Sequence, residues 1–156
     1  MDIKKIINIG LFVFLISSCH NKLYFQEHVK INGLWHKDSV KQLSFNVSNT
    51  EQLYEMSFLL ETNSNYSYRN IHFFTVVVGS DSVSILDTIS FSLADLRGKS
   101  LGKGRGNLKR YKVPLTMGSF PKRGKYYFNI KQGMREVFLN GITSLGLSIK
   151  EVNEQK

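Results

Sequence analysis

The chain has 156 residues, of which 21 are Lys or Arg and 12 are Asp or Glu, giving a formal net charge of +9. That length suits one domain with a real core. A single cysteine excludes an internal disulfide framework.

The N-terminus has the three parts of an export signal, in order. Lys4 and Lys5 form a short positive region, Ile6 to Ile16 forms an apolar core broken only by Asn8 and Gly10, and Ser17 and Ser18 lead into Cys19. The apolar run is about half of the ~20 residues that a membrane-crossing helix needs, so a transmembrane anchor is not expected. Leu15-Ile16-Ser17-Ser18-Cys19 resembles a bacterial lipobox, with a branched apolar residue three positions before the Cys and small residues up to it. A transferase must reach the thiol and a peptidase must cut just before it, so bulk beside the cysteine is excluded. Residues 1–18 are therefore expected to be a lipoprotein signal peptide, and 19–22 a lipidated Cys19 with a short tether. A free Cys in an exported protein calls for an explanation, and a thioether to lipid supplies it. The alternative is a plain secretory signal with a leftover thiol. One myristoyl-sized chain holds a membrane only marginally, whereas two or three hold it stably.

His20 stands where an inner-membrane retention signal would use Asp, and Asn21, Lys22 and Leu23 carry no acidic cluster that would direct the protein to the cell surface. The expected location is the periplasmic leaflet of the outer membrane. Without residues 1–18 the chain remains basic, at about +8. Export makes nucleic acid an improbable partner and leaves anionic lipid, polysaccharide or an acidic protein surface.

Residues 23–156 read as one β-sandwich domain. Period-2 alternation dominates, as in strands with one buried face. Leu43, Phe45 and Val47 alternate with Ser44 and Asn46; Tyr54, Met56, Phe58 and Leu60 with Glu55, Ser57 and Glu61. Phe73 to Val78 is nearly continuous and β-branched toward its end, which predicts a central strand buried on both faces. A short strand is expected at Val83 to Leu86, another over Ile89, Phe91 and Leu93, then Tyr126 to Ile130 and Leu145 to Ile149. Turn clusters lie between them at Asn49-Thr50, Asn63-Ser64-Asn65, Gly79-Ser80-Asp81 and Gly98 to Asn107. Pro114 and Pro121 suit a strand edge or a turn. The best helical segment, Gln132 to Leu139, covers about two turns. The expected fold is all-β: a two-sheet sandwich, jelly-roll or immunoglobulin-like, of about eight antiparallel strands.

From Arg97 to Lys125 there are ten basic residues and no acid: Arg97, Lys99, Lys103, Arg105, Lys109, Arg110, Lys112, Lys122, Arg123 and Lys125. They form either a contact patch for a partner or anionic surface, or a glycine-rich loop and a solvent-facing strand that happen to be basic. Gly102-Lys103-Gly104-Arg105-Gly106 lacks P-loop spacing and suits a bulged or irregular edge.

Catalytic and metal signatures are lacking. His20, His28, His36 and His72 form no HxH or HxxxH pair, no Gly-x-Ser-x-Gly elbow occurs, and Asp81 and Asp87 read as turn residues flanking a short strand. No cofactor, metal or small-molecule substrate is expected, and no enzymatic activity. A hydrolase would need His, Ser and Asp brought together from distant segments. Trp35, Tyr66 and Tyr68 offer an alternative, a stacking platform for glycans, although a lone Trp is more often buried between sheets. The triplets Asp38-Ser39-Val40, Asp81-Ser82-Val83 and Asp87-Thr88-Ile89 look like short acceptor motifs for O-glycosylation.

The order of segments resembles the gliding-motility lipoprotein family GldH of the Bacteroidota. The resemblance rests on Trp35-His36-Lys37-Asp38-Ser39, then Tyr66-Ser67-Tyr68-Arg69-Asn70-Ile71, then Asp87-Thr88, Leu93-Ala94-Asp95 and Gly98 to Gly106. It continues through Gly124-Lys125-Tyr126, Ile130-Lys131-Gln132 with Arg135, Gly141-Ile142 and Leu145-Gly146-Leu147, and so spans nearly the whole mature chain. It implies a lipid-anchored envelope component required for gliding. Such a protein would work as a non-catalytic scaffold with other gliding proteins and the machinery of type IX secretion. No catalytic residues are implied.

Overall fold

A computed structural model describes residues 22–79, 84–104 and 106–152. The signal segment, Cys19, the triplet Asp81-Ser82-Val83 and Arg105 lie outside the described residues. Ten strands follow in chain order: β1 (Lys22–Lys30), β2 (Trp35–His36), β3 (Lys41–Val47), β4 (Leu53–Thr62), β5 (Asn70–Val78), β6 (Ser84–Ser92), β7 (Lys109–Gly118), β8 (Gly124–Gln132), β9 (Phe138–Leu139) and β10 (Ile142–Val152). Eight of them form two four-stranded antiparallel sheets, ordered β1-β10-β4-β7 and β3-β8-β5-β6, while β2 and β9 pair on their own. Leaving that short pair aside, the order is that of a jelly roll, the first of the two sandwich types expected.

Period-2 patterning creates the sandwich. In β4, Tyr54, Met56, Phe58 and Leu60 turn inward and are buried, while Glu55, Leu59 and Glu61 face out. Leu145, Leu147 and Ile149 of β10 and Phe128 and Ile130 of β8 supply the rest of the centre, each no more than 2% exposed. Phe58 sits 4.9 Å from Phe73 across the core and near Phe91 and Phe128, so aromatic rings bridge the sheets. No buried side-chain polar atom among the described residues lacks a partner.

Two sequence expectations change, and one marginal segment is resolved. β5 is interior to its sheet, between β8 and β6, yet only one of its faces is buried: Phe74 is 49% exposed. Interior position satisfies the backbone ladder but covers neither face, and among the described residues no layer packs outside this sheet. The described residues of the two expected segments, from Ser84 and from Ile89, merge into one strand, because β6 pairs with β5 without interruption from Ser84 to Ser92, so Asp87 lies within a strand rather than a turn. Gln132 to Leu139 forms no helix. The Gln132 amide holds a turn instead, its Oε1 accepting from Met134 N at 2.8 Å and its Nε2 donating to the Glu136 carbonyl at 2.7 Å. The chain then enters β9.

Strand register defines two ends. At one lie Lys22, paired with Glu151, and the turns that join β3 to β4 and β7 to β8. At the other lie the loops 31–34, 63–69, 93–108 and 133–137. Strands of this length, at about 3.3 Å per residue, separate the ends by roughly 30 Å.

Candidate interaction surface

The fold distributes the basic stretch rather than gathering it. Lys122 and Arg123 occupy the β7–β8 turn at the Lys22 end. That turn is pinned by Tyr126, whose hydroxyl donates to the Lys122 carbonyl at 2.8 Å. Lys125 faces out from the β3-β8-β5-β6 sheet with its ammonium 5.2 Å from the Tyr127 ring. Arg97 and Lys99 belong to the 93–108 loop at the far end, where Asp95 organises the backbone. Its carboxylate accepts from Arg97 N at 2.8 Å and Lys99 N at 2.9 Å, and Gly98 adopts φ +79° to close that turn. Lys109 opens β7 at the same end.

Arg110 and Lys112 point outward from β7, the edge strand, because Tyr111, Val113 and Leu115 between them pack against the core. Lys103 joins them: its backbone exchanges hydrogen bonds with Arg110 at 2.8 and 2.7 Å, so the glycine-rich loop extends the sheet beyond β7. Gly104, at φ +145°, permits this return, since a side chain there would collide with the Leu108 carbonyl.

Three of the nine described cations, Lys103, Arg110 and Lys112, thus reach one surface, the outer face of the β1-β10-β4-β7 sheet. Register lays this face out in rows. Lys30, Ser144, Glu61 and Arg110 form one, and His28, Gly146, Leu59 and Lys112 the next. Gln26, Ser148, Ser57 and Pro114 form the third. The middle strands carry Ser148, Gly146 and Ser57 beside the larger Leu59, and the long side chains of β1 and β7 rise on either side. The result is an open groove of about 1300 Å³. Gly146 is required here, because a β-carbon would stand 2.7 Å from both the His28 ring and the Glu27 carbonyl.

Lys30, Lys103, Arg110 and Lys112 line the groove against two carboxylates, Glu55 and Glu61. Glu61 is engaged: Arg110 Nε donates to it at 2.7 Å and Thr143 Oγ1 at 2.9 Å. Partial burial pushes its carboxyl up, but the bonds from Arg110 and Thr143 and the nearby positive charge outweigh that and hold it below the usual glutamate value. Gln26, His28 and Lys30 did not stand out in the sequence. The signal that could have found them is their i, i+2 spacing on a polar-faced strand.

The aromatic platform does not form. Trp35 is 1% exposed, its ring 6.0 Å from Phe73 and its Nε1 donating to the Ser39 carbonyl at 2.8 Å. A side chain enclosed in this way has no face to offer a sugar. Tyr66 and Tyr68 meet edge-on at 70°, and their hydroxyls are engaged by the Asn70 carbonyl and Glu136. Burial, together with Tyr68 and Tyr111 nearby, pushes the Tyr66 phenol well above its ordinary value. Among the described residues no three His, Cys, Asp or Glu side chains gather as a metal site. His72 is held by Asn70 and Ser90, and His36 lies beside Asp38, whose carboxylate pairs with Lys131 at 3.1 Å.

The family model for the GldH lipoprotein matches residues 23–149. The chain belongs to the GldH family. The gliding motility lipoprotein GldH of Flavobacterium johnsoniae is 28% identical over 148 residues, covering 90% of this chain and 92% of that protein. A GldH homolog of Christiangramia forsetii is 28% identical over 155 residues, covering 92% and 95%. Among solved structures, a family GH115 4-O-methyl-alpha-glucuronidase superposes on 86% of this chain and 18% of its own, with 17% identity and a TM-score of 0.47. A superposition that loose carries no argument about this GldH protein.

Proposed function

We propose that the protein is held at a membrane by lipid on Cys19 and works there as a non-catalytic scaffold of the gliding and type IX secretion machinery. The leaflet we assign is the periplasmic face of the outer membrane. The observation that carries this reading is the position of β1 in a gliding motility lipoprotein: the strand begins at Lys22, three residues after Cys19. Three residues reach at most about 10 Å, so the Lys22 end would ride on the bilayer, with Lys122 and Arg123 facing headgroups. The loops of the far end would stand roughly 30 Å out, presented to other envelope proteins. Tethering raises the effective concentration of such partners, so individually weak contacts suffice for assembly.

Replacement of Cys19 by Ser in living cells tests this. The expected result is release of the protein from membranes and loss of gliding; normal gliding with a released protein would overturn the reading. Crosslinking in cells is expected to recover other gliding and secretion proteins through the 93–108 loop.

A further inference from the structure

We infer that the groove on the outer face of the β1-β10-β4-β7 sheet is a binding site for an acidic polysaccharide, a hydroxyl-rich chain bearing carboxylates. Its chemistry is the ground for this. Arg110 is already committed to Glu61, which leaves Lys30, Lys103 and Lys112 as cations along the rims to meet anions. Between them stand groups of both hydrogen-bonding senses: Ser57, Ser144, Gln26, His28 and the Glu55 carboxylate. A chain rich in hydroxyls can donate to Glu55 while accepting from the serines and lysines, so the carboxylate becomes a partner. An acidic peptide brings carboxylates to the same lysines but no array of hydroxyls to donate to Glu55. The lining also includes Leu59, Leu60, Val113 and Pro114, apolar surface on which the C–H face of a sugar ring can rest. At about 1300 Å³ the groove exceeds the ~300–1,000 Å³ of ordinary small-molecule pockets and is open, as a polymer requires.

The site is distinct from the aromatic arrangement of Trp35, Tyr66 and Tyr68, and lies on β1 and β7 instead. Its occupancy depends on neither the lipid anchor nor any protein partner, so it can be tested apart from the scaffold role.

The test is titration of the intact lipoprotein in non-ionic detergent with polygalacturonate, with neutral dextran and poly-glutamate as comparators. Binding of polygalacturonate is expected, and weakened by added salt. Lys30→Glu and Lys112→Glu, on opposite rims, should each weaken it about tenfold or more. Lys125→Glu, on the other sheet, should leave it unchanged, and matched thermal melts should show all three variants folded. Four outcomes overturn the inference: no binding to polygalacturonate, equal binding of dextran, equal or tighter binding of poly-glutamate, or an equal loss in the Lys125 variant.

Discussion

Where β1 meets β3, aromatic rings and a hydroxyl lock the two sheets together; where β6 meets β7, the sheets part. On the first seam the rings of Phe25 and Phe45 lie 5.6 Å apart across the two sheets, and Tyr24 packs 5.0 Å from Tyr54 of its own sheet. The Tyr24 hydroxyl crosses from one sheet to the other to donate to the Asn46 carbonyl at 2.7 Å. On the second seam Ile85 and Ile89 of β6 and Leu115 of β7 border an apolar cleft of about 360 Å³ that reaches in to Phe128. Ile85 at its mouth is 64% exposed. The residues on both seams are apolar, so hydrophobicity alone does not close a sandwich. Closure needs side chains long enough to span the gap and a polar tip with a partner on the far side, which Tyr24 supplies and β6 does not.

Substitutions can break this contrast. Phe45→Ala removes a 3% exposed ring that contacts Phe25, Phe120 and Tyr126, and should cost about 3–5 kcal/mol in denaturant unfolding. Tyr24→Phe keeps the ring on Tyr54 but removes the crossing hydrogen bond, for an expected loss of about 0.5–1.5 kcal/mol. Ile85→Ser, on the open seam, should change stability by no more than about 0.5 kcal/mol. An Ile85 cost as large as that of Phe45 would mean that the second seam is packed shut. The smallest effect concerns acid. Because Glu61 is held below its usual value, its ion pair contributes fully at neutral pH, and the contribution fades only as pH falls through and below about 4.5. Glu61→Gln should therefore flatten the acid limb of a stability–pH profile and leave its alkaline side unchanged.

Much of the fold was legible because the alternation is strict. Leu43 to Val47, Tyr54 to Leu60 and Tyr126 to Ile130 each turn one face to the core, as a two-residue period dictates. β5 misled because an apolar run reads alike whether one face is buried or two. At Gln132 to Leu139 the spacing was too short to specify a helix, and the Gln132 amide holds a turn through a side-chain to backbone preference that periodicity does not register. The candidate surface was half legible. Arg110 and Lys112 are two apart on one strand and share a face for that reason. The opposite rim, at Lys30, comes from a strand about 80 residues away, and only the β1-β10-β4-β7 order brings it across the groove.

The enclosure of Trp35 has a practical side. It is the sole indole in the chain, shut away from water beside the β2–β9 pair and tied to Ser39. Its fluorescence should be blue-shifted in the native protein and move red when the core opens. The molecule therefore carries its own optical gauge of integrity, and every variant named above can be read without a label.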